Sequence, residues 1–210
     1  MLITKNFAKS FSNNIKKIIF FSSAAVYGED TPRSYKINEN TNADPKSYYG
    51  LSKYISEIIL KKTLEGKKTK LISLRLPLVY GLNDMSMGYG PTQFTMCSLK
   101  NKPIVLWGDG SEKREFVYVK DVAKLTALLQ RSNYEGVINV VSGQSYNFRD
   151  ITNILIKKHN LRSKVIRKKR SKPKIDIRFT STNLKKIVND YKFTSLTKGV
   201  SDMIDDYEKK

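Results

Sequence analysis

The sequence predicts an α/β protein with a parallel sheet, on three observations. Two short apolar runs, KIIFFSS (Lys17–Ser23) and KLISLRLPLVYG (Lys70–Gly81), carry the β-branched and aromatic residues of strands buried on both faces. Between them, PKSYYGLSKYISEIILKKTLEG (Pro45–Gly66) spaces apolar residues helically and stops at a glycine. That strand–helix–strand order implies a right-handed crossover between parallel neighbours.

Taken in order, MLITKNFAKSFSNN reads as an amphipathic helix. It lacks the compact apolar block and small-residue cleavage site of a signal peptide. The first strand ends at two hydroxyls, Ser22 and Ser23. The helix after it carries Leu51, Tyr54, Ile55, Ile58 and Ile59 at helical spacing. The second strand is closed by Pro77 and a turn. GLNDMSMGYGPTQF (Gly81–Phe94) is too rich in Gly, Asn and Asp for a regular element. PIVLWGDG (Pro103–Gly110) is a strand and turn, and VKDVAKLTALLQ (Val119–Gln130) a helix with Val122, Leu125, Leu128 and Leu129 inward. GVINVVSG (Gly136–Gly143) is a further strand, NFRDITNILIKKH (Asn147–His159) a helix, and TKGVSDMIDDYEKK (Thr197–Lys210) a last amphipathic helix.

Composition narrows the function. The 210 residues are 40% hydrophobic, enough for a core, and no apolar run reaches the ~20 residues of a membrane span. A single cysteine, Cys97, excludes an internal disulfide and fits a reducing cytoplasm. With one Cys and one His, a zinc site of soft ligands is excluded, and no metal is expected. The net charge of +20 suggests an anionic partner, nucleic acid or a phosphorylated substrate. The densest basic run, Lys157–Lys174, interleaves no Tyr or Phe on which bases could stack. A solvated lysine-rich surface is the better reading.

Tyr49 and Lys53 stand four apart in YYGLSK, on one face of the predicted helix. An ammonium near a phenol favours the phenolate, and such a tyrosine can exchange a proton with a sugar hydroxyl. Ser23, at a neighbouring strand end, can hydrogen-bond the same oxygen. The three suit hydride transfer between a C–OH and a nicotinamide ring.

In order and at similar spacing, SSAAVYGE, INENTNADPKSYYGLSK, RLPLVYG, GDGSEKREFVYVKDVA and GVINVVSGQSYNFRDI resemble the extended short-chain dehydrogenase/reductase family, specifically its nucleotide-sugar epimerases and dehydratases. The resemblance implies NAD as cofactor and a nucleotide-diphosphate sugar as substrate. It casts Tyr49 as catalytic base, Lys53 as holder of the nicotinamide ribose, and Ser23 as the assisting hydroxyl. Ser22, Pro77 and Leu78 fall on the cofactor side, Leu78 standing where many members have Asn. Glu39 fills an acidic slot with a loop-ordering role. Arg114 matches an arginine that grips the diphosphate, and a second comes from the basic tail, Arg170 or Arg178. Ser23-Ala24-Ala25 replaces the Thr-Asp-Glu usual in 4,6-dehydratases, so epimerase or 4-keto reductase fits better. Cell-surface polysaccharide assembly is the implied setting.

The family's G-x-x-G-x-x-G turn, which cradles the cofactor pyrophosphate, does not occur in this sequence. The expectation is thus the later part of a Rossmann-like doubly wound sheet, its first βαβ half absent. Residues 1–80 would belong to the cofactor domain, and 81–210 to a substrate-binding region returning to the sheet at about 104–150. The economical account is an N-terminally truncated gene product, inactive alone, with an open sheet edge at KIIFF. That edge would take a complementing N-terminal chain, and a homodimer through the Tyr49 helix and its neighbour is the default assembly.

Overall fold

The computed structural model describes residues 2–12, 14–28, 31–84, 88–160 and 163–209. Helix α1 (Leu2–Lys9) leads to strand β1 (Lys17–Ser23), a 3₁₀ turn (Ala24–Tyr27) and helix α2 (Tyr48–Leu64). Then come β2 (Lys70–Leu76), β3 (Leu78–Tyr80), α3 (Pro91–Leu99), β4 (Ile104–Trp107), β5 (Lys113–Arg114), β6 (Phe116–Tyr118) and α4 (Val119–Arg131). The chain ends with β7 (Gly136–Asn139), β8 (Tyr146–Asn147), α5 (Phe148–His159), β9 (Val165–Lys168), α6 (Thr182–Ile187) and α7 (Leu196–Glu208).

The parallel sheet runs β1-β2-β7, paired from Lys17↔Lys70 to Ser23↔Leu76 and from Ile72↔Gly136 to Arg75↔Asn139. The crossover through α2 is the predicted one, and β1 lies at the sheet's edge. Pro77 has no amide proton to donate, so the second apolar run divides there. Its continuation, β3, pairs with β6 instead. β4 pairs in parallel with β9, and β5 antiparallel with β8.

Local chemistry sets the helix ends. Ser47 caps α2 by accepting from the Gly50 amide at 3.1 Å. Asn147 and Asp150 form a capping box on α5. Pro91 opens α3 directly after Gly90, whose φ of 147° suits glycine. Ile72, Leu74, Leu125, Leu129 and Ile138 form the core between the sheet and α4. Tyr80, Phe94, Ile104, Phe116 and Leu155 form a second cluster under the later elements.

Several expectations are corrected. On α4, Leu128 is exposed while Val122, Leu125 and Leu129 are buried, because Leu128 lies about one and two-thirds turns beyond Val122. On α2, whose inward face the spacing alone leaves open, the buried side carries Gly50, Ser56, Glu57, Leu60 and Leu64, whereas Leu51 and Ile58 are exposed. The irregular stretch before Phe94 holds the first turn of α3, and its residues 85–87 lie outside the described ones. The basic run was read as solvated surface throughout, but Val165–Lys168 forms β9 inside it.

Candidate active site

β1 delivers Ser23 to the rim of a cavity of about 570 Å³, and the first turns of α2 bring Tyr49 and Lys53 to the same cavity. Ser23 also caps the 3₁₀ turn: its hydroxyl oxygen accepts from the Ala25 amide at 3.2 Å. Gly50 lets α2 press onto that turn, since a Cβ there would lie 2.5 Å from the Ala25 carbonyl oxygen. Lys53 Nζ donates to the Phe21 carbonyl at 2.8 Å and lies 5.7 Å from the Tyr49 ring centre. Burial holds its pKa below the usual lysine value. The Tyr49 ring is 55% exposed at the cavity mouth. Pro77 and Leu78 form the facing wall.

Ser22 also lines the cavity, and its hydroxyl donates to Glu57. Glu57 in turn receives Arg75 as a two-pronged pair, Nε to Oε1 at 3.0 Å and Nη2 to Oε2 at 2.6 Å. Arg75 lies over the Tyr27 ring at 4.7 Å, and the Tyr27 hydroxyl donates to Asn139 at 2.8 Å. Burial, the largest single influence, would lower the Arg75 pKa, but Glu57 and Tyr27 together outweigh it and the net shift is upward. Glu39 orders loops as expected: it accepts from the Asn139 and Thr182 amides at 3.0 and 3.1 Å and from the Ser181 hydroxyl.

A second cavity of about 380 Å³ shares Leu78, Tyr89 and Arg114 with the first. Arg170 lines it, and Glu112 pairs with both arginines. Arg178 is exposed and lines neither cavity, so the tail arginine that meets Arg114 is Arg170. Trp107 is a further wall residue that the sequence reading passed over.

Glu115, beside Arg114 in sequence, is only 1% exposed and touches the first cavity. Its Oε1 accepts from the Ser142 hydroxyl at 2.9 Å, the Gly143 amide at 2.8 Å and the Ser142 amide, while Oε2 has no hydrogen-bond partner. Burial pushes its pKa up to about 7. A signal for the Glu57–Arg75 pair was in the sequence: one arginine inside an apolar strand requires a buried partner. Glu112 and Glu115 gave none, since both sit in a short segment of mixed polarity.

A parallel α/β sheet with a cavity at the end of its first strand, lined by Ser23, Tyr49 and Lys53, is the arrangement of a Rossmann-like dinucleotide fold. The model of the NAD-dependent epimerase/dehydratase family matches residues 2–147, and the chain belongs to that family. A putative UDP-glucose 4-epimerase of Methanocaldococcus jannaschii is 36% identical over 152 residues, 70% of this chain and 48% of that protein. The chain spans about half the length of the curated relatives it matches, or less. A UDP-N-acetylglucosamine 4-epimerase from Methanobrevibacter ruminantium, solved with UDP-N-acetylmuramic acid, superposes with a TM-score of 0.79 at 30% identity, covering 98% of this chain and 66% of that one. MoeE5, solved with UDP-glucose and NAD, gives 0.87 at 19% identity over 100% of this chain and 71% of its own, a likeness of fold.

The family is NAD-dependent. The residues here fit one end of that cofactor: Lys53 sets an ammonium near Tyr49 in a cavity that Pro77 and Leu78 also line. No described helix is long and apolar enough to cross a membrane.

Proposed function

We propose that this chain carries the proton-transfer centre and the diphosphate pocket of a nucleotide-sugar 4-epimerase, with 4-keto reduction as the second reading. The observation that carries it is that two neighbouring cavities share Leu78, Tyr89 and Arg114 in their walls. Ser23, Tyr49 and Lys53 line the first, Arg170 lines the second, and Arg114 lines both. One ligand can therefore set a sugar against Tyr49 and a diphosphate against the arginines, whose planar forks suit phosphate oxygens.

The chemistry follows from the side chains. Tyr49 takes the proton of the sugar C4 hydroxyl and returns it. Ser23 accepts from Ala25 with its lone pair, leaving its own proton to donate to the same sugar oxygen. Lys53, held on the Phe21 carbonyl, keeps an ammonium near the phenol and favours the phenolate while the proton is away. The chemistry that bound NAD would supply is reversible uptake of the C4 hydride, which in an epimerase would be returned to the other sugar face. Ala24 and Ala25 bring no acid to the cavity wall for eliminating water.

The glycine-rich turn for the cofactor pyrophosphate is not among these residues, so we infer that other polypeptide, preceding in sequence or a separate chain, supplies it at the β1 edge. The same reading divides the chain into a cofactor part, 1–80, and a substrate part, 81–210. β7 joins the sheet beside β2, which supports a return of the chain to it within 104–150. The exposed Leu51 and Ile58 on α2 favour a homodimer through α2 and α1. Cytoplasmic supply of sugar nucleotides for surface polysaccharide is the setting this reading implies.

The test is turnover of UDP-sugars with a glycine-rich half supplied. Tyr49→Phe is expected to abolish turnover while sugar-nucleotide affinity stays within about twofold. Retained turnover removes Tyr49 from its role.

A further inference from the structure

We infer that Glu112 is an internal anion that holds the phosphate position between Arg114 and Arg170, and that a diphosphate binds by displacing it. The inference rests on the reading above that this pocket receives a diphosphate. Glu112 Oε1 accepts from Arg114 Nη2, and its Oε2 from Arg170 Nη1. The three side chains are 14–19% exposed, which places them in the cavity wall and shields them from bulk solvent.

A carboxylate bridging two guanidinium groups answers them as a phosphate group does, with one oxygen to each fork. Both arginines also keep acceptors that do not depend on Glu112. Arg114 donates to the Lys113 carbonyl at 3.0 Å and to the Ile175 carbonyl, and Arg170 to the Trp107 carbonyl at 3.3 Å. The forks are therefore held by backbone, and the carboxylate can leave without releasing them. If it stayed, a diphosphate would meet a like charge at contact distance, in a site where screening is weak. Glu112 thus offsets one of the two guanidinium charges of the empty pocket and lowers its affinity for anions. A ligand must engage both forks to replace what it removes.

The experiment is a calorimetric titration of inorganic pyrophosphate into the full 210-residue chain and its Glu112→Gln, Glu112→Ala and Arg114→Ala variants, with melting curves alongside to verify folding. Both Glu112 variants are expected to bind pyrophosphate about fivefold more tightly, the scale of one partly exposed ion pair. Their affinity should also fall more steeply with added salt, because the pocket gains one net positive charge. Unchanged or weaker binding in both Glu112 variants, with Arg114→Ala weaker than the parent, overturns the inference and leaves the pocket reading standing. Equal binding by Arg114→Ala and the parent, or none by any folded chain, removes the pocket reading and this inference with it.

Discussion

Lys53 shows how a single side chain joins backbone to chemistry. Its bond to the Phe21 carbonyl fixes it at the end of β1, and its place one turn after Tyr49 sets it beside the phenol. Arg114 does the same for the diphosphate side, and Arg114→Ala is expected to weaken sugar-nucleotide binding by ~1.5–3 kcal/mol, as for a hydrogen bond to a charged group. Unchanged affinity in a calorimetric titration would reassign it to structure. Glu115 gives a pH signature. Its folded-state pKa of about 7 lies above the ordinary 4.5, so between those values the folded protein keeps a proton that the unfolded chain has lost. Stability therefore falls as pH rises through that window, by roughly 3 kcal/mol, and Glu115 adds no further slope above it. Glu115→Gln should flatten the fall when urea midpoints are compared at pH 5 and pH 8; an undiminished fall would place its origin elsewhere. Residues with motif spacing, such as Ser23, Tyr49, Lys53 and Arg114, were legible in the sequence. The choice between Arg170 and Arg178 was not, because it depends on how β9 pairs with β4.

Among the elements, α2 carries most of the site, and two contacts seat it. Gly50 lies against the Ala25 carbonyl, so Gly50→Ala must push the first turn of the helix outward and take Tyr49 with it. A loss of about 1–3 kcal/mol in urea unfolding is expected, the usual cost of overpacking. A stability equal to the parent would mean that the contact is loose. One face further round, Glu57 binds Arg75 of β2 with both side chains less than a tenth exposed. Arg75→Met leaves a buried carboxylate without its partner and should cost about 3–5 kcal/mol, whereas replacing both partners by apolar residues should cost much less. The sequence reading found β1, α2, β2, α4, β7, α5 and α7 because their apolar spacing is set by the core they face. It missed α6, a single short helix capped by Ser181, and β9, whose pattern of two half-buried and two exposed residues resembles a polar loop. Apolar spacing alone could not show which side of α2 is buried, because that side carries Glu57 in an ion pair with Arg75.

At the scale of the whole molecule, the charge and the open edge of β1 set the behaviour. Part of the +20 charge has structural work: Lys17 donates to the carbonyls of Leu129 and Gln130 at the end of α4, where a cation suits the helix dipole. Lys198 and Lys120 pair with Asp202 and Asp206. The parallel sheet offers its β1 edge beside the cavity, which is where a cofactor-binding half belongs in a doubly wound fold. On the proposed function, a sugar nucleotide lies across the two neighbouring cavities, between Tyr49 and the Arg114–Arg170 pocket. Trp107, the one tryptophan in the sequence, stands in the wall of that pocket and reports on it directly. The measurement is its fluorescence during titration of the 210-residue chain with UDP-glucose. The account predicts a saturable change whose midpoint moves to higher concentration in Arg114→Ala. A folded chain whose tryptophan signal ignores UDP-glucose, or an Arg114→Ala curve that overlays the parent, would contradict it.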